Sequence, residues 1–97
     1  MLYYNHKARA KELDMRTKFD KEMTKLLKKA TDFSEFDTCP VEGITELTCK
    51  TERAVMGRYK GFMGEYEYFI AYVHNGKAMK FHTRNEEEAD CKMLVVA

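Results

Sequence analysis

Three histidines, three cysteines and a run of carboxylates are the residues in this 97-residue chain whose types could do chemistry. Two of the histidines and the carboxylates fall in one stretch, YEYFIAYVHNGKAMKFHTRNEEEAD, residues 66–90. A structural zinc site wants four ligands, usually from closely spaced Cys and His pairs. Cys39, Cys49 and Cys91 form no C-x-x-C, and none stands at such a spacing from a histidine. His74 and His82 straddle Asn75-Gly76, a strong signal for a two-residue type I′ hairpin. That register sets His74 opposite Lys77 and His82 opposite Phe69, so the two imidazoles point to opposite faces and share no metal ion. A Cys–His nucleophile pair would have to assemble from distant positions, and no spacing singles one out. The carboxylates Glu86–Glu88 and Asp90 are explained by a helix start. Thr83 with Glu86, or Asn85 with Glu88, makes a capping box, and acids suit a helix N-terminus. No catalytic group, metal or cofactor is expected, and the chain reads as a non-enzyme.

The segment that asks for a function lies just upstream: GRYKGFMGEYEYF, residues 57–69. Its glycines run G-x3-G-x2-G, which is neither a dinucleotide-binding nor a P-loop fingerprint. KGF matches the start of an RNA-recognition octamer, but Met63 and Gly64 break the match. Two readings stay open. The glycines mark a bulge or tight turn between strands, or residues 57–64 form a less regular basic-aromatic loop. On the second reading Arg58, Tyr59, Lys60 and Phe62 are at least partly exposed. With Lys80 and His82 they are the expected partner-binding residues.

The elements that must position these residues are legible in the periodicity. Met15, Phe19, Met23, Leu26 and Ala30 recur at helical spacing, and Tyr4 and Ala8 extend the stripe backward past Glu12. With no Gly or Pro from 1 to 30, the pattern predicts one long helix over 1–30. Lys7, Lys11, Lys18, Lys25 and Lys29 flank the stripe, either as a solvated edge or as a binding ridge. Residues 31–43, with the only proline, read as a connector that Phe33 and Phe36 anchor. An antiparallel sheet is expected over 44–83. Its first strand lies in ITELTCKT, with Leu47 and Cys49 on one face. The others cover Ala54 to about Lys60, Tyr66 to His74, and Lys77 to Thr83. Tyr68, Ile70, Tyr72, Met79 and Phe81 share one face, expected to be core under the long helix. Phe69, Ala71, Val73, Ala78, Lys80 and His82 share an amphipathic second face. Over 84–97 a short helix is followed by MLVVA, read as an edge strand or buried tail. The expected fold is α+β: a long N-terminal helix on a four-stranded antiparallel meander, with a short C-terminal helix, in one domain.

Composition places the chain among globular folds. No apolar run approaches the length of a membrane span. The start turns charged within seven residues, so a cytoplasmic protein with reduced thiols is expected, Cys49 and Cys91 being small buried groups. The net charge of +1 conceals segregation: +5 over 1–30, −5 over 31–49, +4 over 50–84 and −3 over 85–97. Basic and acidic segments facing each other inside the fold is the favoured explanation; separate displayed patches is the other.

A small domain with segregated charge, many aromatics and no catalytic motif is similar in character to phage-encoded inhibitors of host defence, such as anti-CRISPR proteins. The expected function is binding and modulating a macromolecular partner, a protein first. The alternative is a nucleic-acid-binding module using Arg58, Lys60, Lys80 and the helix lysines. A homodimer through an amphipathic face or unpaired strand edge is a further arrangement.

Overall fold

Five of the expected elements recur where the periodicity put them in a computed structural model, which describes residues 17–36, 44 and 46–97. The order is α1 (Lys18–Leu27), β1 (Glu46–Lys50), β2 (Ala54–Lys60), β3 (Tyr66–His74), β4 (Lys77–Thr83) and α2 (Glu86–Val96). The strands form an open antiparallel sheet in the order β1-β2-β3-β4. The fold is α+β. Asn75 and Gly76 take the positive φ of a type I′ turn, 52° and 77°. This fixes the expected register, with His74 opposite Lys77, Ile70 opposite Phe81 and Phe69 opposite His82.

The N-terminal helix is short where a long one was expected. Thr17 caps it, its hydroxyl accepting from the Asp20 amide at 3.1 Å. At the other end Lys29 and Ala30 donate to Leu26 and Leu27, tightening the last turn. Thr31 and Asp32 then both donate to the Gly76 carbonyl, and Ala78 donates to that of Asp32. The backbone is captured by the edge of β4, so the helix cannot continue. The expected helix over residues 1–16 and the connector residues 37–43, with Cys39 and Pro40, lie outside the described residues. Of the connector's two anchors only Phe36 packs on the core; Phe33 is half exposed.

Both faces of the sheet are covered, and the assignment of helix to face is corrected. Tyr68, Ile70 and Tyr72 lie with Ala54 and Met56 under α2, against Ala89 and Met93, not under the N-terminal helix. Phe19 and Leu26 of α1 pack on the other face, against Ile44, Val55, Phe69 and Ala71. Phe69, Ala71 and Ala78, expected on a half-exposed face, are buried. A strand's alternation says which residues share a face, not which helix lies over it.

β1 also departs from expectation. Leu47 pairs with Gly57 and Cys49 with Met56, so Thr48 is the extra residue of a bulge. Its hydroxyl donates to the Met56 carbonyl at 3.0 Å. The bulge turns Leu47 toward α1 and Cys49 toward α2, parting two residues expected together. Cys49 and Cys91 are exposed, not buried. The tail is no edge strand: α2 runs through Val96, burying Met93 and packing Val96 while Leu94 and Val95 face outward. Asn85 caps it, accepting from the Glu88 amide at 3.0 Å. Its own amide is taken by Thr83 Oγ1, so both expected capping residues serve one helix start.

Candidate functional site

Strand pairing continues to Lys60 opposite Tyr66, so Gly57 to Lys60 are regular strand, not the loosened loop expected over 57–64. The irregular part is Gly61 to Glu65. Gly61 donates to the Glu65 carbonyl at 2.7 Å, and Gly64 donates back to that of Gly61 at 3.0 Å. Gly64 sits at φ 85°, the left-handed position that follows the turn in such hairpins. This geometry leaves Phe62 and Met63 at the apex. Phe62 is 100% exposed and Met63 81%. Two large apolar side chains stand in water on a turn held by its own backbone bonds.

The flanks of this apex differ between the two faces. On the α2 face the Arg58 guanidinium lies 4.2 Å from the Tyr66 ring centroid, and the Lys60 ammonium 5.9 Å from it. Arg58 Nε donates to Glu46 Oε2 at 2.7 Å, which holds the guanidinium protonated above its usual range. Behind it the Tyr68 hydroxyl donates to Glu86 Oε2 at 3.2 Å. Burial pushes that hydroxyl up, Arg58 opposes it and Glu86 adds to it, and with the net shift upward it stays a neutral donor. On the α1 face His82 Nε2 lies 3.0 Å from Glu67 Oε1, and Arg84 Nε 3.9 Å from the same oxygen. Tyr59 stands opposite Glu67 and packs partly against the α1 core. Its hydroxyl is pushed up by burial and then by Glu67.

The six expected contact residues are therefore not one surface. Arg58 and Lys60 face the α2 side; Tyr59, Lys80 and His82 face the α1 side; Phe62 stands between at the apex. Tyr59 is partly core, so it is a poor probe of binding. Met63, Glu67 and Arg84 were not singled out. For Met63 a signal existed: GFMG places two apolar residues between glycines three apart, the span of a tight turn.

Charge is displayed, not cancelled, across the sheet. α1 carries Lys18, Lys21 and Lys25 against Asp20 and Glu22, and α2 opens on three glutamates. The sheet lies between them, and among the described residues no ion pair joins α1 to α2. Acids of 31–49 do meet bases of 50–84, through Glu46–Arg58 and Glu35–Lys77. Among the described residues internal compensation between segments is thus seen in the middle of the chain.

Among the described residues no three His, Cys, Asp or Glu side chains converge on a metal position. Partial burial first, and Asp90 next, raise the Cys49 thiol, which keeps it from the thiolate a nucleophile needs. No described helix is long and apolar enough to cross a membrane. Compared with protein-family models, curated proteins and solved structures, the chain matches none.

Proposed function

We propose that this chain is a non-enzymatic binding protein that docks a protein partner through the β2–β3 hairpin apex and so modulates that partner. The complete exposure of Phe62 carries the reading. A side chain that buries nothing at home contributes its transfer free energy only when a partner covers it. Met63 beside it adds an adaptable apolar contact. Arg58 and Lys60 supply a basic rim suited to carboxylates around an apolar pocket. A domain that acts by occupying a surface is similar in character to phage-encoded inhibitors of host defence, and inhibition of a defence protein is the role we assign to it.

The test is a pull-down from host lysate with the parent chain and with Phe62→Ala/Met63→Ala, identification by mass spectrometry, and titration of what is captured. The double variant keeps the parent circular dichroism and loses at least about thirtyfold in affinity, the roughly 2 kcal/mol of a single hot-spot side chain. Equal binding by parent and variant would overturn the apex as the site.

A further inference from the structure

A second surface lies on the α1 face, at the end of β2 away from the hairpin apex. Lys18, Lys21, Lys25 and Lys28 line one wall of a groove of about 740 Å³, and Lys50 and Leu47 of β1 line the other. At about 100° per residue the four helix lysines fall within an arc of about 80°, pointing away from Phe19 and Leu26. They form a row about 15 Å long. Among the described residues that line the groove Glu22 is the one acid, and it is taken by Lys50 at 3.2 Å and Lys25 at 3.8 Å. Among the described residues Lys18, Lys21 and Lys28 have no ion-pair partner. Lys29, by contrast, leaves the row and donates to the Glu52 carbonyl at 3.0 Å.

At its N-terminal half this placement works against the helix, although Lys25 in the last turn and Lys28 at the C-cap suit the dipole. Lys18 opens α1 and Lys21 follows one turn in, at the end where the macrodipole favours anions. Lys18–Lys21, Lys21–Lys25 and Lys25–Lys28 are like charges at i,i+3 and i,i+4, which repel. Among the described residues only Glu22 answers this row, and a bound polyanion relieves both conflicts at once.

We infer that this groove holds the phosphodiester backbone of a single-stranded nucleic acid. A row of ammonium groups on one wall, answered by Lys50 on the other, follows the phosphates of one strand. The row is short, about 15 Å, and lies beside a single β-strand, so it is assigned to one strand, and duplex is the competing outcome of the test. Among the described residues no aromatic ring lines it, so the contact is to phosphates rather than stacked bases, and binding is independent of sequence and of sugar. The glutamates of α2, on the far side of the sheet, orient the approaching molecule with its α1 face toward the polyanion. This surface is independent of Phe62, and either site can fail without the other.

The test is fluorescence anisotropy of labelled single-stranded RNA, single-stranded DNA and duplex DNA, each titrated across a range of salt concentrations. Both single strands bind alike and more tightly than duplex, with log K falling against log salt at a slope of about −3 for four to five phosphates. Lys21→Gln/Lys28→Gln makes that slope shallower by about 1.4, at about 0.7 per lysine. Lys21→Glu/Lys25→Glu/Lys28→Glu abolishes binding with circular dichroism unchanged. Lys29→Gln, Arg58→Gln/Lys60→Gln and Phe62→Ala leave affinity and slope as in the parent. No binding by the parent at low salt, tighter binding of duplex, or an unchanged slope in the Lys21/Lys28 variant overturns the inference.

Discussion

On the α1 face the helix supplies the bulk and the sheet makes room. Phe19 is fully buried, meets Phe69 edge-to-face at 6.0 Å, and lies over Gly57, where a Cβ would overlap its ring. On the α2 face the roles reverse. Tyr68, Ile70 and Tyr72 rise from the strands, and the helix answers with Ala89 and Met93. Lys92 lays its ammonium 5.2 Å from the rings of Tyr72 and Phe81, closing the layer with a cation. One layer therefore centres on a ring in a fitted hole, with Leu26, Ile44 and Val55 around it, while the other is built on strand side chains that meet a small helix face. Deletions and insertions of volume should tell the two layers apart.

The largest difference is expected from truncation. Phe19→Ala empties a site whose walls include backbone at Gly57, so it cannot collapse, and should cost about 3–5 kcal/mol. Met93→Ala should cost about 2–3 kcal/mol, because long neighbours such as Tyr72 and Lys92 can move into the space. Urea denaturation of the two variants at one pH measures both. Equal costs would mean that the layers are packed alike and the contrast drawn from Gly57 is wrong.

Insertion sharpens the same point at smaller magnitude. Gly57→Ala puts a methyl into both the Phe19 ring and the Ile44 side chain and should destabilise by about 1–3 kcal/mol. Phe19→Leu combined with Gly57→Ala should cost less than the two separately, since the shorter side chain vacates the space the methyl needs. Strict additivity in that double-mutant cycle would show that residue 57 is small for some reason other than the ring above it.

Gly57 also shows where the sequence was readable and where it was not. It looked like part of a loose glycine segment with Gly61 and Gly64, and only Gly64 has the left-handed backbone that a turn requires. Gly57 is small because Phe19, 38 positions earlier, comes down on it, and no local pattern encodes that meeting. The β3–β4 hairpin was fully legible, because Asn75-Gly76 fixes the turn and the turn fixes the register. The bulge at Thr48 was not, since one inserted residue leaves the polar and apolar alternation of ELTCK intact while reversing its second half. Helix-to-face assignment failed for a related reason. Both faces of β3 are apolar, so Tyr68 and Phe69 were equally good candidates for either helix. At the candidate site, the exposed apex was foreseen in Phe62, but the split of its flanks between two faces needed the strand to run through Lys60.

The smallest effect expected separates the two helices by charge instead of volume. The glutamates of α2 sit at the favourable end of its dipole, and Glu88 stands four residues before Lys92, the better order for an ion pair. Glu88→Lys should therefore destabilise, by about 0.5–1 kcal/mol at low salt. Lys21→Glu should do the opposite. It removes repulsion with Lys18 and Lys25, creates a Glu–Lys pair at i,i+4, and puts an acid near the positive end of α1. A gain of about 0.5 kcal/mol is expected at low salt, fading as salt approaches about 1 M and the Debye length falls to about 3 Å. Thermal melts of both variants in low and high salt read the two signs directly. If Lys21→Glu instead destabilises, the lysine row supports the fold and needs no outside counter-charge. A more stable Lys21→Glu that has also lost single-strand binding would show that α1 carries Lys21 against the interest of the helix, for a bound polyanion.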